Sequence, residues 1–536
     1  MTPSDAAVDC SPLAAKETLR PGANVAPATS SSFVSRVGRG FGALSLGAVV
    51  NILWELSVVP VALYVWGRFR FGEWILLAGL VQFLKITDLG VQTYVVNKLC
   101  ASFANGNQDE FRGVFHSALR VQIPLAIFVL VTVAGSLCLF PVDRLIGLHT
   151  IASGSFFLVA MLLSTELLLG VPMGVVAGVY RATGNLARAA FLGAAQQFVL
   201  LIVTVGLICA NSSFVAVAAA QVICAIGMSG WIIHDLNQRY PWLGIWPSVG
   251  SWRQGWRMVG PGVFFLLIPL SDFVGTQLTL LITQRSLGAA EVSRLSTHRT
   301  IVNFGIMLSA LVTTAVWPEL SVLNAVGDRA GLVRVHRTLA KLNLWMVGGL
   351  MLCLLPLIYL VYPVWTARRL ALDSWTLTLM LARLLLWTIW SASSTVLLAS
   401  NKHYRPSFAL FVEALLTGAL GLYLIPALGI RGAALSALIA DVCVCAWVIP
   451  RLAIRELGED LSIFARQSLQ ALMAIVVPAL ACGMSWHFFG SIVIRYALAF
   501  PLSLSVAVFS IFIQLDNDER KILERLLFRI RAAFER

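Results

Sequence analysis

Long apolar runs alternate with short polar junctions along almost the whole chain. A run of about 20 mostly apolar residues predicts a membrane helix, because in lipid the backbone must satisfy its own hydrogen bonds. Fourteen such runs are read here, near 41–63, 74–97, 115–140, 152–179, 188–210, 214–233, 258–283, 297–321, 338–362, 374–399, 406–426, 431–450, 468–487 and 491–514. The fifth and sixth touch at Asn211-Ser212-Ser213 and the last two near Phe488-Phe489-Gly490, the pattern of helical hairpins with almost no loop. Residues 1–35 are rich in Pro, Ala, Ser and Thr without an apolar core, which predicts a disordered tail rather than a cleaved signal peptide. At the other end, Ile522, Leu523, Leu526, Leu527, Ile530 and Phe534 recur at helical spacing among Arg and Lys, which predicts a basic amphipathic helix over 515–536 lying on the membrane surface.

The polar junction around Tyr180-Arg-Ala-Thr-Gly-Asn-Leu-Ala-Arg188 has a counterpart around Asn401-Lys-His-Tyr-Arg405. Laid over each other without gaps, Arg188 falls on Arg405, Phe191 on Phe408, Leu207 on Leu424, Ala216 on Ala433 and Ala220 on Ala437. The loop at Ala104-Asn-Gly-Asn107 likewise matches Ala325-Val-Gly-Asp328. The chain therefore reads as two related lobes, 36–240 and 250–455, followed by two extra spans in 465–514. Function is expected where the lobes face each other.

Composition narrows this to a polytopic membrane protein: 58% of the 536 residues are hydrophobic and 12% charged, against about 25% charged in soluble domains. The net charge of +13 does not imply nucleic acid, since Lys and Arg sit between apolar runs and form no basic, aromatic-laced face. With the N-terminus cytoplasmic, about 27 of the 39 Lys and Arg fall on the cytoplasmic side, which favours both termini inside. The nine cysteines lie mostly within apolar runs and show no metal-ligand spacing, so they read as small buried hydrophobes. Loops are short. No phosphate loop, zinc motif or pair of catalytic carboxylates is present, so an enzyme is the weaker class and no cofactor or metal is expected.

The candidate chemistry lies in charges at membrane depth. Each costs about 2.5–3.5 kcal/mol to insert and so faces a bundle interior or a wet cavity. Glu55 lies in the first run, Lys85 and Asp88 share one face of the second, and Asp272 follows Pro269 in the seventh. His298 and Arg299 open the eighth, just after Arg294, while Arg383 lies in the tenth and Glu413 in the eleventh. Ordinary alternatives stand beside each. Lys85 and Asp88 can neutralise each other, Glu413 can tie to Arg405 or a polar neighbour, Arg383 can snorkel, His298 can be a packing residue, and Asp272 can brace a bent helix. As a group, six of these charges come from the first two spans of each lobe, where a polar cavity between lobes would place them. A mixed but net basic lining of Lys85, Arg294, Arg299 and Arg383 suits an anionic ligand such as a pyrophosphate. Asp272, Glu55, Asp88 and His298 are the expected coupling groups, Asp272 first among them. Gly260-Pro261-Gly262 is the best hinge candidate, beside the ordinary use of Gly and Pro in membrane helices.

Asp88-Leu-Gly-Val-Gln-Thr-Tyr-Val-Val-Asn-Lys98, the Tyr180–Arg188 junction and Leu428-Gly-Ile-Arg-Gly-Ala-Ala434 together resemble the corresponding segments of Wzx-type polysaccharide flippases, over roughly residues 36–460. That resemblance implies the fold of the MOP exporter superfamily: an all-α integral membrane protein of about 14 transmembrane helices, with two six-helix lobes in a V and a central cationic cavity. It also implies alternating access, an undecaprenyl-pyrophosphate-linked oligosaccharide as substrate, a bacterial inner-membrane location and service to O-antigen, capsule or exopolysaccharide export. Membrane lipids, a polysaccharide polymerase, and protons or sodium ions as coupling ions are the implied partners. A drug or cation antiporter of the same fold is the alternative, and a membrane enzyme of polysaccharide assembly a third class.

Overall fold

The computed structural model describes residues 30–488 except 89, 149–150, 152, 245–247 and 401–403, together with Pro501, Ser505 and Val508. The expected tail up to residue 29, the fourteenth span and the C-terminal amphipathic helix lie outside the described residues. Every expected span up to residue 487 has a helix, or a broken helix, in its place. In the first half these are α1 (Ser30–Val65), α2 (Gly67–Val81) continued by a 3₁₀ turn (Gln82–Asp88) and α3 (Val91–Ala104), α4 (Gln108–Leu139), the short α5 (Val142–Ile146), α6 (Ser153–Ala182), α7 (Leu186–Cys209) and α8 (Phe214–Arg239). The second half comprises α9 (Trp252–Phe273), a π turn (Val274–Leu278), α10 (Thr279–Leu287), α11 (Ala289–Val326), α12 (Arg329–Trp365), α13 (Ser374–Ala399), α14 (Tyr404–Leu428), α15 (Ile430–Cys443), α16 (Cys445–Leu457) and finally α17 (Leu461–Phe488). Among the described residues, nine helices are by themselves long and apolar enough to cross a membrane, or ten if the bent α12 counts as one span. The expected spans outside that count are α1, the second span from α2 to α3, and α11.

The two halves pack by one scheme. In the first, α1 lies on α7, α4 on α6, α6 on α8, and α3 on α6; in the second, α9 lies on α14, α12 on α13, α13 on α15, and α11 on α13. The paired loops match in detail. Gly106 and Gly327 both take positive φ (69° and 78°), and the next residues, Asn107 and Asp328, both cap the following helix by accepting a backbone N–H, from Glu110 and Gly331. Glycine is needed there because the left-handed turn is strained for any side chain. Beyond the repeat, α17 packs on α12.

The lobes meet at both ends. On the face carrying Trp66, Leu148, Phe214 and Leu370, one apolar core runs across both lobes, with Leu63, Leu76, Val292 and Tyr362 fully buried in it. There α2 and α11 approach so closely that a Cβ on Gly72 would sit 1.8 Å from the Ala289 carbonyl oxygen. On the opposite face, α4 meets the entry to α9. A Cβ on Gly255 would sit 2.5 Å from the Ser117 carbonyl oxygen, and Ser117 Oγ donates to Gln254 Oε1 (3.0 Å).

Candidate functional site

The irregular backbone and the interior charge coincide. The seventh span runs as helix through residues 260–262, the hinge candidate, and departs from α-geometry at the π turn Val274–Leu278. A π turn leaves a carbonyl without its usual helical partner. Arg299, reaching over from α11, uses that opening: Nη1 donates to the Thr276 carbonyl (3.0 Å) and Nη2 to Thr279 Oγ1 (3.0 Å). No carboxylate among the described residues pairs with it, although Asp272 and Arg383 are within electrostatic reach. Asp272 itself is exposed, at the end of α9.

Arg383, on α13, is spent differently. Its Nη2 donates to Glu413 Oε1 on α14 (2.9 Å), and its Nε lies 3.7 Å from Asp441 Oδ2 on α15. Trp390 Nε1 donates to the other Asp441 oxygen (2.8 Å). Both acids are buried, while 38% of the Arg383 side chain stays accessible. Glu413 therefore pairs with Arg383 and not with Arg405, and Arg383 turns inward to carboxylates. Asp441 went unremarked in the sequence, although a lone carboxylate in the twelfth run carries the same signal as Glu413.

The first lobe holds a cavity of about 420 Å³ between α6 and α7, backed by α8 and by the 3₁₀ turn of the second span. Lys85, Glu166, Gln82, Gln196 and Ser229 give it polar walls. Among the described residues Lys85 forms no ion pair with Asp88, whose carboxylate accepts from the Gln92 N–H (3.2 Å) and from Gln122 Nε2 (2.9 Å). A 3₁₀ turn stacks residues three apart, so it is these two amide donors, not the helix geometry, that take up the Asp88 carboxylate. Phe83 of that turn meets Phe273 on α9 (centroids 5.0 Å apart), while Lys85 lines the cavity. Glu166 was also missed in the sequence.

Glu55 links the lobes. Its Oε2 accepts from Thr300 Oγ1 on α11 (3.2 Å), and its backbone carbonyl from Trp365 Nε1 (3.2 Å). His298 is fully buried. Its Nε2 accepts from the Asp373 N–H (3.0 Å), which leaves Nδ1 as the donor to the Arg294 carbonyl (2.7 Å), so here the ring is neutral. Asp373 lies in the α12–α13 connection. Burial alone would raise its carboxyl, but bonds from Arg431 and Thr376 outweigh that and hold it at about 2. Arg294 sits near the same end, donating to the Ala371 carbonyl (2.8 Å). The four expected substrate cations thus occupy three places: Lys85 in the first lobe's cavity, Arg299 with Arg383 inside the second lobe, and Arg294 at its loop end.

No protein-family model matches the chain, and no curated protein matches it in sequence. Solved structures match in fold. The lipid II flippase MurJ in its inward closed conformation superposes with a TM-score of 0.66 at 13% identity, covering 90% of this chain and 99% of its own. An inward-facing multidrug resistance MATE transporter of the MOP superfamily gives 0.58 at 13% identity, with 79% and 98% covered. A MOP superfamily transporter from Pyrococcus furiosus gives 0.56 at 14% identity, with 79% and 95% covered. The chain is a multi-pass membrane protein with the fold shared by these transporters.

Proposed function

We propose that this protein is an alternating-access flippase for an undecaprenyl-pyrophosphate-linked oligosaccharide. It acts in a bacterial inner membrane, with both termini cytoplasmic, in polysaccharide export. The observation that carries the reading is Arg299, a guanidinium at membrane depth held by neutral acceptors and so still able to meet an anion. Such a charge persists in a membrane protein where function needs it. Extent supports a lipid substrate: the likeness to the lipid II flippase continues past the part shared with the multidrug transporters, over 90% rather than 79% of the chain. Asp272, exposed beside the π turn, is the proposed coupling carboxylate, for a proton or a sodium ion.

A cation antiporter is the second reading, and one observation favours it. Glu55, Asp88 and Glu166 in the interior and the exposed Asp272 are carboxylates without a basic partner within ion-pairing distance among the described residues, and they outnumber the cations Lys85 and Arg299, which have no carboxylate partner there. Binding to the purified protein separates the two. Farnesyl pyrophosphate should bind, and Arg299→Ala should weaken it by about tenfold or more, as loss of a charge-assisted contact implies. Binding of tetraphenylphosphonium with no binding of farnesyl pyrophosphate would reverse the assignment.

A further inference from the structure

The cavity in the first lobe has a filled counterpart in the second. The offset that carries Arg188 onto Arg405 also carries Glu166 onto Arg383 and Gln196 onto Glu413. The ion cluster of one lobe and the polar cavity of the other therefore occupy equivalent places. The same offset sets Gly170 against Trp387, Met173 against Trp390, and Gly193 against Leu410. In the second lobe those larger side chains pack around Cys445 and Ile449 and close the interior. In the first lobe glycines stand at two of the three positions, and a Cβ on Gly170 or Gly193 would meet nothing within 4 Å. Ordinarily, small residues on membrane helices draw their neighbours into contact. Here the glycines leave about 420 Å³ open among α6, α7 and α8.

A space of that size lies within the range of about 300–1,000 Å³ usual for small-molecule sites. Its walls carry one cation, one carboxylate, two amides and the hydroxyl-bearing Ser229 and Tyr180 among aliphatic side chains. Gln82 Oε1 is buried there without a hydrogen-bond partner. Such a lining is formally neutral, rich in both donors and acceptors, and apolar between them. That matches a polyhydroxylated ring with apolar C–H faces better than a bare anion or a lipophilic cation.

We propose that this cavity is the sugar subsite of the transporter: Glu166, Gln196 and Ser229 bond the hydroxyls of the sugar next to the pyrophosphate, and Lys85 meets the pyrophosphate at the cavity wall. The inference rests on the flippase reading and adds the place where the glycan is held. The 3₁₀ turn gives it a geometric basis, since the turn that lines the cavity with Lys85 also packs Phe83 against the second lobe.

The test compares two ligands on the purified full-length protein: farnesyl pyrophosphate, and a panel of farnesyl-pyrophosphoryl sugars bearing N-acetylglucosamine, galactose or glucose. The wild type should bind at least one sugar-bearing analogue about tenfold more tightly than farnesyl pyrophosphate, as a few added hydrogen bonds imply. Gly193→Leu and Gly170→Trp, which install what the other lobe carries, should abolish that preference, so that the sugar-bearing analogue binds no more tightly than farnesyl pyrophosphate; Glu166→Ala should reduce the preference. A wild type without sugar preference, or a preference that survives both cavity-filling substitutions, overturns the subsite while the flippase reading stands. Failure of every pyrophosphate ligand to bind overturns both. Thermal unfolding of each variant identifies any that has lost its fold, and the two cavity-filling variants check each other.

Discussion

Asp272 and Arg299 show how much one residue's neighbours decide. Both lie at membrane depth, but the carboxylate is exposed and the guanidinium is anchored on the π turn. An ion arriving at Asp272 would act next to the proposed substrate contact, which is the geometry coupling requires. In vesicles with an imposed pH gradient, Asp272→Asn should abolish the response of transport to the gradient and keep farnesyl pyrophosphate binding. If the Asn variant still accelerates with the gradient, Asp272 is structural and Glu55, at the lobe interface, takes its place. The rule that charge at depth marks an interior made these residues legible in the sequence, along with Lys85, Asp88 and Arg383. Their partners were not legible. Arg383 meets Glu413 and Asp441 from two other helices, and nothing in local spacing encodes a contact across three spans.

At the scale of elements, the breaks matter more than the spans. Helix length and apolar content placed nearly every helix, because lipid leaves the backbone no other solution. The 3₁₀ turn at Gln82–Asp88 and the π turn at Val274–Leu278 were not foreseen, since each depends on a tertiary partner taking up a freed backbone group or a displaced side chain. Two glycines set the approach of the lobes: Gly72 against Ala289 on one face and Gly255 against Ser117 on the other. Gly72→Leu should force α2 from α11, and Gly255→Leu should force α9 from α4. With native cysteines replaced, spin labels at Phe69 and Trp375 report the first face, and labels at Glu110 and Arg253 the second; all four positions are exposed. Each substitution should lengthen the distance at its own face by several ångströms and slow transport. An unchanged distance in a folded, active variant would mean that the contact is not a gate.

The whole molecule is two lobes built on one packing scheme, with one interior filled by an ion cluster and the other left open. The repeat was readable from the Arg188 and Arg405 junctions, and the structure adds that Phe191 and Phe408, matched by the same offset, are both exposed. What the repeat could not convey is its asymmetry, because that lies in side-chain volume at Gly170, Gly193 and their counterparts rather than in hydrophobic pattern. The open interior of the first lobe suits the glycan of a two-part ligand whose charged head group stays at the cavity wall beside Lys85. The most direct measurement uses vesicles containing the purified protein and an isoprenyl-pyrophosphoryl oligosaccharide with a fluorescent label on its glycan, under imposed proton and sodium gradients. A membrane-impermeant reductant then reports how much label reaches the outer leaflet. The wild type should expose nearly the whole pool, while Arg299→Ala and protein-free vesicles should expose only the outer leaflet's share. Exposure no greater than in protein-free vesicles, with gradient-driven movement of tetraphenylphosphonium by the same preparation, would contradict the account.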